Sequence, residues 1–280
     1  MARLRHTIDL APVARGQVED AVRVLHDVIE GLRPEDGRLV TEDGRTVPDA
    51  VLRSGEHARP GAVYSVPGPA QEGTGPPADR LAVLEWDRAV ASAVRYEAER
   101  PEPPSRGSAE LRLRSAERPT TVRLVVRGEL TRPDGHRRRM RWFALRAEVD
   151  LDRWWEAVGG GLGSGAGAGA RSRPALTVLM RHPLLQATTV VVPRPGKDGG
   201  WRLDIETTLR GRRLVRPVAA IPLRATRRLT HRAIGEALQR MADDWRTHAV
   251  PRITRTPDET RRALLDDLAG HGSRTRAPGE

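Results

Sequence analysis

The sequence contains no cysteine, very few aromatic residues and no long apolar run. Without cysteine, disulfide frameworks and thiolate metal sites are excluded. No stretch of about 18 apolar residues is present, as a membrane-spanning helix would need, and early charges interrupt any apolar signal-peptide region. We therefore expect a cytoplasmic protein. Because aromatic residues make up only 3% of the chain, leucine, valine and alanine must build most of its core.

The chain also has little lysine, although it is strongly basic. Lysine and arginine together number 48, Lys197 is the single lysine, and the net charge is +11. Two causes could explain the arginine excess. In a high-GC genome, codon bias favours arginine over lysine, whereas binding to an anionic partner would select for positively charged residues. The excess lies in two blocks, residues 109–149 at +6 and residues 171–232 at +11. Codon bias explains arginine over lysine, but not the scarcity of acidic residues in these blocks.

Residues 1–99 are predicted to be mainly helical. Residues 1–58 hold an amphipathic helix (16–33) and a small hairpin (39–47) that turns at Asp43-Gly44. Residues 59–78 are rich in proline and glycine and are predicted to form a linker. An apolar stripe with Ala82, Val83, Trp86, Ala89, Val90, Ala93 and Val94 then predicts a helix over 79–99.

Apolar and polar residues alternate through the middle of the chain. Three such strands lie within 109–149, and three more at 175–180, 187–192 and 201–209. A Pro-Asp-Gly turn signal predicts a hairpin between the second and third strands. A short helix from Asp150 ends in a glycine-rich loop at 159–174. The loop lacks the Gly-Lys-Ser/Thr ending of a phosphate-binding loop, so we interpret it as a flexible linker.

The C-terminal part is predicted to be helical. A closing helix over 230–247 carries a core stripe of Ile234, Ala237, Leu238, Met241 and Trp245. A second helix over 256–270 begins with a capping box formed by Thr256 and Glu259, and 271–280 is predicted to be a disordered tail. The predicted fold is α+β, with a largely antiparallel sheet domain over 109–250. An N-terminal helical region and C-terminal amphipathic helices flank it.

Two acidic residues in DIETT are weak catalytic candidates. Residues 204–208 resemble the first acidic motif of DEDD-type exonucleases, and HRAIGEA (231–237) resembles the third motif of the histidine subclass. That resemblance would give Asp204, Glu206, His231 and Glu236 a two-metal nuclease role. Too few residues separate the two segments to hold the intervening elements of that family. The alternative is that both acids lie on the wet face of a strand and pair with arginines.

Other catalytic signatures are missing from the sequence. The eight histidines are scattered, without a His-Glu-x-x-His or paired-histidine spacing. The serine in GLGSGAG matches the Gly-x-Ser-x-Gly pattern of a nucleophile elbow. It lies in the glycine-rich stretch, however, rather than between a strand and a helix. We therefore expect no metal site and no cofactor, and the residues favour a non-catalytic protein while leaving catalysis open.

Arginine clusters are the main candidates for binding. They lie at 136–141, 210–216 and 224–228, and strand-face arginines could extend the surface between them. Guanidinium groups bind phosphate through two parallel hydrogen bonds, and Trp142 could stack on a base. The predicted binding residues are Arg137, Arg138, Arg139, Arg141, Trp142, Arg210, Arg212, Arg213 and Arg216. The competing interpretation is a solvated basic face.

Residues 201–247 carry one further pattern. A long hairpin starts at Trp201, a basic stretch with Pro217 and Pro222 follows, and an amphipathic helix closes the segment. This order resembles the end of START-like helix-grip domains. The resemblance implies a curved antiparallel sheet around a long C-terminal helix, with a cavity for a lipid or polyketide-type ligand.

Three functions therefore follow from the sequence. The first is an interaction protein whose arginine-rich sheet surface binds a polyanion such as nucleic acid, or an acidic protein. The second is a helix-grip protein that binds a ligand in a cavity. The third is a divergent nuclease. A continuous positive surface, an open apolar pocket or a cluster of three acids would distinguish them.

Overall fold

A computed structural model describes residues 2–67, 78–100, 105–130, 142–159, 173–211 and 227–270. Thirteen strands lie within these ranges. They are β1 (Ala2–Leu10), β2 (Arg33–Glu35), β3 (Arg38–Val40), β4 (Thr46–Ser54), β5 (Val63–Pro67), β6 (Ala78–Asp87), β7 (Ala91–Arg100), β8 (Ser105–Arg114), β9 (Thr121–Leu130), β10 (Trp142–Asp150), β11 (Leu176–Arg181), β12 (Leu185–Pro195) and β13 (Trp201–Gly211).

Helices lie between the strands and after the last of them. They are α1 (Arg15–Gly31), α2 (Leu151–Gly159), α3 (Arg227–Asp244), α4 (Val250–Ile253) and α5 (Pro257–Leu268). A π-helical turn, Trp245–Ala249, joins α3 to α4, and a 3₁₀ turn, Lys197–Gly199, joins β12 to β13. Within the described ranges, no helix is both long enough and apolar enough to cross a membrane.

All thirteen strands form one antiparallel sheet. From β2 to β13 each strand pairs with its neighbour in sequence, and β1 pairs with β13 at the far edge. The alternation of apolar and polar residues that predicted the middle strands favours such a sheet. Successive side chains of a strand point to opposite faces, so the apolar residues of each strand lie on the same face. The α+β class and the largely antiparallel sheet are therefore confirmed, and the sheet extends well beyond residues 109–250 into the N-terminal part.

The two faces of the sheet differ in chemistry. The inner face, which the helices partly cover, is mostly apolar; one row of paired residues on it runs Leu4, Thr207, Thr189, Val178, Ala147, Leu124, Leu111, Val94 and Val83. The outer face carries most of the charged side chains of the same strands. Leu203 and Ile205 are buried on the inner face as predicted, whereas Leu209 is only partly buried.

Two hydrophobic clusters form the core, one near each end of the sheet. The first cluster centres on β1 and β13, with Leu203 and Ile205, and Trp245 packs against it. The second centres on β3 to β6, with Tyr64 and Val83. The inner faces of β8, β9 and β10, between the clusters, belong to neither. Among the described residues, the middle of the sheet is therefore less covered than its ends.

Helix α1 is held at both of its ends by ion pairs. Arg15 at its start pairs with Asp152 of α2 at 3.1 Å. Near its end, Asp27 and Glu30 pair with Arg88 in the turn between β6 and β7. The helix therefore connects the region of the first cluster to that of the second, near the strand ends marked by Arg88 and Asp152. The opposite ends of β7 to β10 lie away from it.

Several local predictions are confirmed. The first helix, the hairpin that turns at Gly44 with a φ of 80°, and the β9–β10 hairpin all form. The capping box at Thr256 forms as well, since the Thr256 hydroxyl accepts from the Glu259 amide and the Thr256 amide donates to the Glu259 carboxylate. These elements have short-range signals that need no tertiary information.

The helix predicted over 79–99 is wrong. The segment forms β6 and β7, joined by a turn in which the Asp87 carboxylate accepts from the amides of Ala89 and Val90. A register shift between Val83 and Glu85 breaks the alternation in β6. The break spaces the apolar residues by three, which imitates a helical stripe.

Three further expectations differ from the structure. The N-terminal region begins with a strand, β1, which was not predicted, and the predicted linker over 59–78 contains β5. On α3 and the turn that follows it, Leu238 and Trp245 pack against the first cluster as predicted, but Ala242 is buried there while Met241 is 48% exposed, so Met241 does not belong to the inward face. The basic stretch with Pro217 and Pro222, most of the glycine-rich loop and the tail lie outside the described residues.

Candidate ligand-binding groove on the inner face

The predicted nuclease residues lie on opposite sides of the sheet. Asp204 on the outer face accepts from Arg194 Nε at 2.7 Å and from the Thr7 hydroxyl at 3.3 Å. Glu206 on the same face pairs with Arg3 at 3.0 Å and Arg5 at 3.2 Å. These partners belong to β12 and β1. Both acids therefore pair with neighbouring side chains on the solvent-facing side of the sheet.

The other two nuclease candidates belong to α3, on the inner side. The Glu236 carboxylate pairs with Arg232 at 2.8 Å, and the exposed His231 ring lies 4.2 Å from the His6 ring. Burial, and then the proximity of His231, lower the pKa of His6. Among the described residues, no group of three histidine or acidic side chains could hold a metal ion. The structure therefore does not bring the four candidates into one site.

Most of the predicted arginine surface cannot be placed. Arg137, Arg138, Arg139, Arg141, Arg212, Arg213 and Arg216 lie outside the described residues. Arg210 is exposed at the end of β13, and Trp142 is 36% exposed on the outer face at the start of β10. The structure therefore describes two of the nine predicted binding residues, on well-separated strands.

Arginines on the described outer face alternate with carboxylates. Arg112 pairs with Glu85 at 2.6 Å, and Arg123 pairs with Glu148 at 2.9 Å. Hydrogen bonds from Arg146 and Arg123 hold the pKa of Glu148 below its usual range. Two of the strand-face arginines expected to extend a basic surface, Arg112 and Arg123, are thus neutralised by neighbouring carboxylates. A polyanion-binding surface stays a prediction that rests mainly on residues outside the described ranges.

The inner face instead contains an open groove at the ends of β7 to β10 that lie away from α1. Its volume is about 310 Å³. This is close to the lower end of the range of small-molecule pockets, about 300–1,000 Å³. Its inner-face lining includes Tyr96, Ala98, Gly107, Ala109, Val126, Gly128 and Phe143. The lining is largely apolar, as expected of a site for an organic ligand.

The depth of the groove comes from one row of small residues. Ala98, Gly107, Gly128 and Phe143 lie opposite one another on four successive strands. A Cβ atom on Gly128 would lie 2.3 Å from Phe143 Cε1, so the phenyl ring lies directly over that glycine. The Phe143 side chain nevertheless remains 41% exposed. The ring therefore forms an accessible aromatic wall beside a floor of backbone.

A buried polar pair stands at the β7 side of the groove. The Tyr96 hydroxyl donates a hydrogen bond to Oδ2 of Asp79 on β6. Asp79 is only 1% exposed, whereas Tyr96 is partly exposed and lines the groove. Burial of a carboxyl group is costly unless hydrogen bonds satisfy it. An acid kept at this position is therefore a candidate functional group rather than a solvated surface charge.

A larger cleft lies on the outer face at the same strand ends. Its volume is about 740 Å³, and Trp142 lines it together with Arg80, Arg106 and Arg127. Glu97, Glu99 and Glu129 line it as well, and Arg106 pairs with Glu99 at 2.7 Å. The cleft therefore combines one predicted binding residue with charges of both signs.

The sequence did not indicate Tyr96, Asp79 or Phe143 as site residues. The first two lie within the segment predicted as a helix, so they were not placed on adjacent strands. The alternation of Val94 and Tyr96 with Arg95 and Glu97 was a signal that could have placed Tyr96 on a strand. Phe143 was correctly assigned to an apolar strand face, but its exposure depends on what the helices leave uncovered.

Comparisons with known proteins give no family assignment. No protein-family model matches the chain, and no curated protein matches it. Among solved structures, the crystal structure of the di-domain ARO/CYC StfQ from the steffimycin biosynthetic pathway aligns with 98% of this chain and 99% of that chain. The identity is 9% and the TM-score is 0.17, values that support no argument about function. The groove is therefore interpreted from its own geometry.

Proposed function

We propose that the protein binds a small, largely apolar organic ligand in the inner-face groove. The observation that carries the proposal is an open cavity of about 310 Å³ with the exposed Phe143 ring as one wall. Contact with apolar surface is favoured because it removes both surfaces from water. The ligand class agrees with what the helix-grip resemblance of residues 201–247 implies.

Filling the groove tests this proposal. A neutral fluorescent probe, N-phenyl-1-naphthylamine, should bind saturably and gain fluorescence, and the absence of charge keeps surface arginines from attracting it. Gly107→Val should weaken binding at least about ten-fold, because the valine methyl groups would occupy the floor. A Cβ atom at Gly107 meets only Arg127 O at 3.7 Å, so the backbone can accept the change.

The matched control introduces the same residue on the other face. Thr188 on β12 points outward, opposite Thr208, and Thr188→Val should leave probe affinity unchanged. Thermal unfolding of each variant checks that the fold is retained. Equal probe affinity for the wild-type protein and Gly107→Val would contradict the proposal.

A second candidate function is polyanion binding on the outer face. It is supported by the exposure of Trp142 in a cleft with Arg80 and Arg127, directly after the arginine cluster at 136–141. Combined replacement of Arg137, Arg138 and Arg139 by alanine should weaken oligonucleotide binding and reduce its salt dependence. Fluorescence anisotropy at two salt concentrations measures this, and no binding at about 50 mM salt would reject it.

A further inference from the structure

We propose that a flat aromatic ring of the ligand lies over Gly107 and packs beside the Phe143 ring. The groove then selects planar aromatic molecules over saturated molecules with the same carbon framework. This inference rests on the proposed function, since it names the ligand class of the same groove. It makes Phe143 a specificity-determining residue and Gly107 the floor beneath the ligand ring.

The Phe143 ring itself shows how an aromatic group packs on this face of the sheet. Three of its atoms lie within 3.1 Å of the position that a Cβ atom of Gly128 would take, so the ring fills the space of the missing side chain. Gly107 is the partner of Gly128 on the neighbouring strand, β8. Among the described residues, the only atom within 4 Å of a Cβ atom placed at Gly107 is the carbonyl oxygen of Arg127, at 3.7 Å. Of two paired glycines, one is therefore covered by a ring and the other is open to the groove.

The spacing of the strands suits a second ring. Neighbouring strands lie about 4.8 Å apart, so a ring over Gly107 would have its centre about 5 Å from that of Phe143. Aromatic rings attract each other at centre distances of about 4.5–7 Å, in offset or edge-to-face arrangements. Phe143 has surface left for such a contact, because its side chain is 41% exposed and lines the groove together with Gly107.

The floor around Gly107 favours a flat group over a thick one. Ala98, the partner of Gly107 on β7, adds only a methyl group, so a planar ring can extend across both strands. Ala109 and Val126 form the next row along the strands and bound the floor on that side. A puckered saturated ring keeps fewer of its atoms at contact distance from such a floor, and dispersion attraction falls steeply with a gap. It also lacks the π-system that pairs with Phe143.

Two probes with the same framework and the same hydroxyl group test the inference. 2-Naphthol is planar and aromatic, whereas decahydro-2-naphthol is saturated, and displacement of N-phenyl-1-naphthylamine measures both dissociation constants. The wild-type protein should bind 2-naphthol more tightly. In Phe143→Leu, which keeps an apolar wall, the ratio of the two dissociation constants should fall by about five-fold, the value of one aromatic pair. Phe143→Tyr, which keeps a ring at the same position, is the matched control and should retain the preference.

A second measurement locates the ring directly. The Hα protons of Gly107 should move upfield in the NMR spectrum when 2-naphthol binds, because they would face the ring, and decahydro-2-naphthol should not cause this shift. Should Phe143→Leu fail to fold, this shift in the wild-type protein decides, and its absence at saturating 2-naphthol would overturn the inference.

The outcomes separate this inference from the proposed function. If N-phenyl-1-naphthylamine binds and Gly107→Val weakens it, but decahydro-2-naphthol competes as well as 2-naphthol or neither competes, the inference is wrong and the proposed function stands. An unchanged ratio in Phe143→Leu would likewise reject the inference alone. If none of the three probes binds saturably, both are wrong.

Discussion

Two glycines that face each other across β8 and β9 have different surroundings. A Cβ atom at Gly128 would meet the Phe143 ring at 2.3 Å, whereas at Gly107 the nearest atom is 3.7 Å away. We predict that Gly128→Ala lowers the free energy of unfolding by about 1 kcal/mol, the low end of the usual cost of overpacking, because the partly exposed ring can move aside. Gly107→Ala should instead be neutral or stabilise by up to about 1 kcal/mol, because alanine has less freedom in the unfolded chain.

Chemical denaturation of the two variants measures this difference directly. The pair is matched, since each variant adds one methyl group to an inner-face glycine of the same sheet row. Equal effects of the two substitutions would contradict the placement of the Phe143 ring over Gly128. Probe binding by Gly128→Ala should also change, because the displaced ring must move relative to the groove.

A buried histidine on α1 predicts a loss of stability in acid. His26 is 3% exposed and stacks on Trp86 at a ring distance of 4.5 Å, with Glu30, Arg88 and Asp27 as its charged neighbours. Burial lowers the pKa of His26, and Glu30 offsets only part of this effect. The unfolded chain, with a histidine pKa of about 6.5, therefore takes up the proton first.

The sign of the pH effect follows from that order. The stabilising contribution is fully present above about pH 6.5 and is lost as the pH falls through that value toward the folded pKa. Each such histidine contributes a slope of at most about 1.4 kcal/mol per pH unit. His26→Gln should reduce the slope of unfolding free energy between pH 7.5 and 5, whereas the exposed His248→Gln should not. An unchanged slope in His26→Gln would show that the protonation of His26 is not linked to folding.

At the scale of elements, α5 offers a test of its N-terminal cap. Its capping box joins Thr256 and Glu259, and its far end places Leu268 against the second core cluster. Thr256→Ala should cost about 1 kcal/mol because one amide of the first turn loses its acceptor. Thr260→Ala, inside the helix, is the control and should be neutral or slightly stabilising. Thermal unfolding monitored by circular dichroism compares them, and equal melting temperatures would contradict the role of the cap.

Elements were predictable from the sequence where local signals dictate the structure. The caps of α5, the turn at Gly44 and the alternation in β13 each act over a few residues. The β6–β7 hairpin was not predicted because alanine is a good helix former, and because the register shift near Val83 removes the alternation of apolar and polar residues. β1 was missed because its short alternating segment is completed by β13, far away in the chain.

The groove was less predictable than the strands that form it. The alternation assigned Phe143 and Val126 to an apolar face correctly. It could not show that the helices cover both ends of the sheet and that, among the described residues, this part stays open. Nor could it bring Asp79 to Tyr96, since their contact depends on the pairing of two strands predicted as one helix. Tertiary packing, rather than local propensity, therefore creates the candidate site.

At the scale of the whole molecule, the pairing of β1 with β13 should carry much of the stability of one sheet end. Leu4 is 2% exposed on the inner face, opposite Thr207. We predict that Leu4→Ala lowers the free energy of unfolding by about 2–5 kcal/mol, through lost burial and the cavity left behind. Leu25→Ala, on a residue 42% exposed, should cost less than half as much. Equal costs in denaturant titrations would mean that β1 is not part of the cooperative core.

The same pairing has a consequence for the newly made chain. Arg5 and its partner Glu206 are 201 residues apart, so β1 leaves the ribosome long before β13 exists. At about 5–20 residues per second, β1 waits about 10–40 s for its partner strand. During this interval Leu4 and Ile8 lack the neighbour that later buries them, and an unpaired strand with an apolar face can associate with other chains. Arg3 and Arg5 alternate with these apolar residues. Their positive charges oppose such association of the unpaired β1 strand during synthesis.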